Sequence, residues 1–198
     1  MAGDVEKVRA FIAIHPPRDV VGQLIALVAK LKRTLKDDAF RWVKLEQLHL
    51  TLQFLGYIPR EQLEEFQEVV AGVVSRHKSF YLKTESLGCF PSVSRARVLW
   101  VGLTGEGEAL QRLKSDLDKG LVPLGYQPEE RPFHPHLTLA RIPVLPASCR
   151  TLLQQQVAAH DTYSSGEFTV QTVELMQSFL SPKGASYRLL GSFSLQSV

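Results

Sequence analysis

Residues 48–52, Leu48-His49-Leu50-Thr51-Leu52, recur as Pro135-His136-Leu137-Thr138-Leu139. The shared tetrapeptide HLTL is displaced by 136 − 49 = 87 residues in a chain of 198. A displacement of nearly half the chain predicts two lobes of similar build, each giving one copy to a shared cleft. Side chains on a strand alternate between faces. His49 and Thr51 therefore point one way and Leu50 and Leu52 the other, as do His136 and Thr138 against Leu137 and Leu139. Each copy offers an apolar face to a core, and an imidazole and a hydroxyl to something else.

Working outward, Val8 to Ile14 is β-rich and is followed by His15-Pro16-Pro17, which can end a strand and open a helix. Val21, Leu24, Ile25, Val28, Leu31 and Leu35 then recur at helical spacing. Phe40 to Lys44 and Leu48 to Leu55 read as strands, the second ending at Gly56. Pro59 reads as the first position of a helix running to about His77. Strands are predicted at Tyr81 to Leu87, Arg97 to Leu103 and Phe133 to Ile142, and helices at Gly105 to Leu121 and Cys149 to His160. The C-terminal third gives Phe168 to Val173, then Glu174 to Leu180 and Tyr187 to Leu195 joined through Ser181-Pro182-Lys183-Gly184, which is turn chemistry for a hairpin. Hairpin-like neighbours argue against a purely parallel sheet. The prediction is an α+β fold, bilobal, with antiparallel-rich sheets around a central cleft and a pseudo-two-fold axis. No Gly/Ser linker separates the halves, so residues 1–198 read as a single domain of two intertwined lobes.

Composition narrows the function classes. Hydrophobic residues make up 44% and charged residues 22%, which fits neither a disordered tail nor a membrane protein. A formal charge of +3, from 23 basic and 20 acidic residues, argues against the broad positive surface that grips long nucleic acid. The first residues do not make a signal peptide, and no apolar run approaches the ~18 to 20 residues of a bilayer span. A cytoplasmic monomer with no membrane partner is expected. Cys89 and Cys149 lie far apart with no metal or redox spacing, and receive no role.

The repeat carries chemistry. With an ordinary pKa near 6.5, one histidine can be neutral while another is protonated. Hydrolysis of a cyclic phosphodiester needs a base for the attacking water and an acid for the leaving oxygen, on opposite sides of phosphorus. His49 and His136 facing each other meet that need. Thr51 and Thr138 can donate to the non-bridging oxygens, and Arg141 can add a charge-assisted bond. This scheme needs no metal and no cofactor. Arg141 lies five residues after His136, so a regular strand aims it at the opposite face. It reaches the site only if the strand ends or bulges near Ala140.

These residues resemble the two-histidine phosphoesterase superfamily, whose signature is a pair of His-x-Thr-x motifs. The closer likeness is to its bacterial and archaeal RNA 2',3'-cyclic phosphodiesterase branch, also called 2'-5' RNA ligase. It runs through Arg9 to Ile14, His49 to Gly56, Val98 to Gly102 and His134 to Arg141, and weakly through Ser178 to Tyr187. The resemblance implies a bilobal α+β fold and opening of a 2',3'-cyclic phosphate at an RNA 3' end, or on a nucleotide, to leave a 2'-phosphate. It implies His49 as proton donor, His136 as acceptor, and Thr51, Thr138 and Arg141 as phosphate contacts. Reversal of the same step would join RNA through a 2'-5' bond.

Other readings stand beside this one. His134 precedes His136 by two, and HxH on a strand can chelate a metal, with His49 as a third ligand. That metallohydrolase leaves both threonines without a role. A nucleotide-binding module without turnover has no need of two titrating histidines. His15, His77 and His160 read as structural. Phe54 shares the parity of Leu50 and Leu52 and reads as core, while Phe11, Trp100 and Tyr187 stay open between packing and base stacking.

Overall fold

A computed structural model describes residues 6–35, 38–181 and 184–197. The described elements, in chain order, are β1 (Lys7–Ile14), α1 (Arg18–Thr34), β2 (Arg41–Trp42), β3 (Leu50–Pro59), α2 (Leu63–Val74), β4 (Phe80–Phe90), β5 (Val98–Gly105), α3 (Gly107–Leu121), β6 (His136–Arg141), α4 (Ala147–Ala159), β7 (Glu167–Val170), β8 (Thr172–Ser181) and β9 (Gly184–Ser194). The strands form one sheet in the order β7-β4-β5-β6-β3-β1-β8-β9, with β2 paired to β6. All these strand pairings are antiparallel.

That order is symmetric about its middle. One lobe is β3-β1-β8-β9 and the other β6-β5-β4-β7, so the fold is the bilobal α+β arrangement with a pseudo-two-fold between β3 and β6. The lobes interlace along the chain, because the first lobe takes strands from both ends of the sequence. They join where Leu50 of β3 pairs with Leu137 of β6, the same position in each HLTL copy.

Alternation sorts the two faces. Val8, Ala10, Ile12 and Ile14 of β1 enter the main core with Leu50, Leu52, Leu137 and Leu139 and the buried rows of the helices. Phe11 and Ala13 point the other way and pack with Met176 and Tyr187 in a small second cluster. Helices thus cover one face, and the other carries the motif histidines and threonines.

Several boundaries differ from the sequence reading. In α1 the buried row is Val20, Leu24, Leu27, Val28 and Leu31, whereas Val21 is only partly buried and Ile25 is 48% exposed. Both rows obey helical spacing, and docking chose between them. Strand β3 does not stop at Gly56. That glycine takes φ +70 inside the strand, a conformation that costs little without a Cβ, and pairing continues to Pro59 opposite Lys7. Pro59 is therefore the last strand residue, and a short 3-10 turn at Arg60–Gln62 precedes α2. β6 begins only at His136, three residues later than the pattern suggested. The β8–β9 hairpin is present, with Ser181 paired to Gly184; Pro182 and Lys183 of its turn lie outside the described residues. No helix among the described residues is long and apolar enough to cross a membrane.

Candidate active site

The two motif segments repeat in backbone detail beyond the tetrapeptide. On β3, Thr51 pairs with Ala13 and Gln53 with Ile12, which leaves Leu52 as an extra residue. On β6, Thr138 pairs with Trp100 and Ala140 with Leu99, which leaves Leu139 extra. Each motif therefore carries a β-bulge one residue after its threonine, and a bulge inverts the alternation that follows it. Burial records the inversion. Leu52 and Gln53 are both buried, as are Leu139 and Ala140, and the next residues, Phe54 and Arg141, are exposed.

This bulge resolves the placement of Arg141. Without it the guanidinium would point into the helix-covered core. With it, Arg141 joins the face of His136 and Thr138, close enough that its charge lowers the pKa of both His136 and His49. Phe54 corrects the sequence reading for the same reason. It stands 50% exposed on the motif face rather than in the core, with its ring 6.3 Å from Phe11. Phe54 and Arg141 are counterparts in the repeat, since 141 − 54 = 87. The inversion also turns Gln53 towards α3, where its side-chain amide donates to Asp118 at 2.5 Å, while Lys114 reaches the same carboxylate at 2.7 Å. A buried amide needs such a partner.

Both imidazoles are anchored alike. The Nδ1–H of His49 donates to the Gln47 carbonyl at 2.7 Å, and that of His136 to the His134 carbonyl at 2.6 Å. A carbonyl can only accept, so in each neutral ring the proton sits on Nδ1 and Nε2 keeps a lone pair for the cleft. Aromatic side chains brace the rings: Phe11 at 4.9 Å and Tyr187 at 5.2 Å from His49, and Phe90 at 4.9 Å and Trp100 at 6.2 Å from His136. The Trp100 indole covers Gly88, where a Cβ would stand 2.2 Å from the ring.

Burial dominates the electrostatics. It pushes the His49 imidazole down to about 4, against the opposing pull of its bond to Gln47, and the charges of His15, Arg141 and His136 add to the depression. His136 is lowered too, again first by burial, with His134 and Arg141 contributing. His49 and His136 each stand directly before the leucines, Leu50 and Leu137, that pair at the β3–β6 junction.

A family profile described as LigT like phosphoesterase matches the chain twice, over residues 14–100 and 101–187. The chain belongs to the LigT-like phosphoesterase family. The two matches are offset by 101 − 14 = 87 residues, the displacement of the HLTL copies. Among its relatives, one from Aeropyrum pernix is 31% identical over 172 residues, covering 84% of this chain and 94% of that protein. Another, from Methanothermobacter thermautotrophicus, is 31% identical over 191 residues, covering 96% and 100%. Both are named RNA 2',3'-cyclic phosphodiesterase. A Thermus thermophilus protein of known structure superimposes with a TM-score of 0.79 at 28% identity, covering 96% of this chain and 98% of that one. Escherichia coli LigT in complex with 3'-AMP gives 0.75 at 26% identity, covering 96% and 99%.

The LigT-like fold thus brings His49, Thr51, His136, Thr138 and Arg141 to one face. His134 lies before β6 begins, exposed, and offers its carbonyl to His136, with its ring 6.0 Å from that of Phe90. Among the described residues, no group of three or more His, Cys, Asp or Glu side chains is gathered to hold a metal. Two features escaped the sequence. Phe54 was hidden by the bulge. His15 lies with its ring 5.7 Å from that of His49 and its Nδ1 2.8 Å from the Glu174 carboxylate, a bond that holds that carboxyl below its usual range. His77 and His160 have structural partners, the Asp116 carboxylate and the Gln156 carbonyl.

Proposed function

We propose that this chain works as one catalytic unit that opens RNA 2',3'-cyclic phosphates to 2'-phosphates, each half of its repeat giving one His-x-Thr motif. Water attacks phosphorus while its proton passes to Nε2 of His136. The bond to the 3'-oxygen breaks on the opposite side, and that oxygen takes the proton held on Nε2 of His49. Thr51, Thr138 and Arg141 donate to the non-bridging oxygens, where charge gathers in the transition state. The observation that carries this reading is the matched anchoring of His49 and His136, each held by the carbonyl two residues earlier so that Nε2 is free.

Both rings are neutral in the free protein near neutral pH, because burial opposes charge. An anionic phosphate between them reverses that preference and favours an imidazolium on one side. Substrate binding and loading of the acid are then one event. The names of the relatives support the substrate class. An RNA of defined sequence ending in a 2',3'-cyclic phosphate, incubated with the protein, should yield a product that co-migrates with authentic 2'-phosphate. A 3'-phosphate would mean that the 2'-oxygen leaves instead and that the donor and acceptor roles are exchanged.

A further inference from the structure

Strand β2 is only two residues long, yet it lays Arg41 directly opposite Arg141 in the antiparallel ladder. Residues paired in this way share a face. The neighbours of Arg41 say which face. Phe40 is buried in the main core and stacks on Trp42 at 5.9 Å, and Lys32 of α1 lies 5.7 Å above the Trp42 ring. Phe40 and Trp42 therefore look towards the helices, and Arg41 between them looks towards the motif face. The bulge at Leu139 sends Arg141 to the same side.

Like charges at directly opposed ladder positions are a destabilising arrangement, and Arg41 and Arg141 occupy such a pair. Among the described residues neither has a carboxylate partner. Arg141 is accounted for by the cyclic phosphate, which also takes the two threonines. Arg41 is exposed and stands on the side of Arg141 away from β5. On a nucleotide whose 2' and 3' oxygens are closed in the cyclic phosphate, the remaining position for a phosphate is the 5' carbon.

We propose that Arg41 binds the phosphate on the 5' side of the terminal nucleoside, so that the protein selects RNA ends and 5'-phosphorylated nucleotides over bare nucleoside cyclic phosphates. This rests on the cyclic phosphodiesterase reading and deepens it. Arg41 is a specificity residue that touches substrate away from the reacting atoms.

The test compares kcat/KM for three substrates: adenosine 2',3'-cyclic phosphate, the same compound carrying a 5'-phosphate, and an adenylyl dinucleotide ending in a 2',3'-cyclic phosphate. Wild type should favour the second and third over the first by on the order of tenfold, the size of one charge-assisted hydrogen bond. In Arg41→Gln both preferences should fall towards one. The rate on the dinucleotide should also become less sensitive to ionic strength, because one charge–charge contact is lost. Arg112→Gln, which removes an exposed charge on α3, should leave the preferences intact. A gain for the dinucleotide alone would overturn the claimed selection of 5'-phosphorylated nucleotides, even if Arg41→Gln removed it. The inference is overturned if wild type shows no preference, if Arg41→Gln lowers all three substrates alike, or if Arg112→Gln acts like Arg41→Gln. Failure of wild type to open even the bare nucleoside cyclic phosphate would instead overturn the underlying function, and this inference with it.

Discussion

Acidification should cost this protein stability through His49 in particular. Burial holds the ring at about 4 in the folded state, against about 6.5 in an unfolded chain. Above pH 6.5 neither state carries the proton and the group contributes nothing. Between 6.5 and 4 the unfolded chain binds a proton that the folded protein refuses, so stability falls as pH falls. At about pH 4.5 the unfolded chain is almost fully protonated at this position and the folded protein mostly is not, which amounts to a loss of about 2.5 kcal/mol relative to about pH 7.5. The variant to compare is His49→Asn, whose amide can still donate to the Gln47 carbonyl but cannot titrate. Urea unfolding at about pH 7.5 and about pH 4.5 should show wild type losing about 2 to 3 kcal/mol more than His49→Asn, a difference of about 1 M in midpoint for a slope near 2 kcal/mol/M. Equal losses in the two proteins would refute the argument that the ring is held neutral by burial.

Alanine at His49 or at His136 should each lower turnover by ~10² to 10⁴-fold without loss of fold, and the double variant should be little worse than either single one, because both disable the same proton transfers. The pH profile of kcat/KM should be a bell centred below pH 6.5, since both imidazoles are depressed in the free protein, and its two limbs belong to the coupled pair; a maximum above about 7 contradicts this. Turnover should survive exhaustive chelation, whereas loss restored by added zinc would favour metal held by His49, His134 and His136. Gly88→Ala should push Trp100 off its seat beside His136, lowering stability by about 1 to 3 kcal/mol in thermal or urea melts and reducing kcat.

The motif and its repeat were legible because HLTL is local and identical in both copies, and the antiparallel hairpins followed from turn chemistry and alternation. The bulges were not legible. A strand pattern says which residues alternate but not where one is skipped, and the skip depends on register with β1 and β5. That single feature put Phe54 on the wrong face in the sequence reading, and left Arg141 conditional on an irregularity that the register now supplies. The His15–Glu174 contact joins residues far apart in sequence, so no spacing rule could have paired them. In α1 two overlapping apolar rows were both periodic, and only docking onto the sheet selected Val20 and Leu27 over Val21 and Ile25.

The counterpart relation between Phe54 and Arg141 has a consequence for direction. A cleft with perfect two-fold symmetry would accept a phosphate in two orientations related by rotation, exchange the duties of its histidines, and release a mixture of 2'- and 3'-phosphates. Here the same bulge delivers an uncharged aromatic ring on one side and a guanidinium on the other. On the proposed function, Arg141 would attract the anionic end of the substrate and Phe54 would offer its base an apolar surface, which would favour one orientation over its rotated twin. On that reading, one pair of unlike residues at a single repeated position would give a duplicated framework its sense of direction.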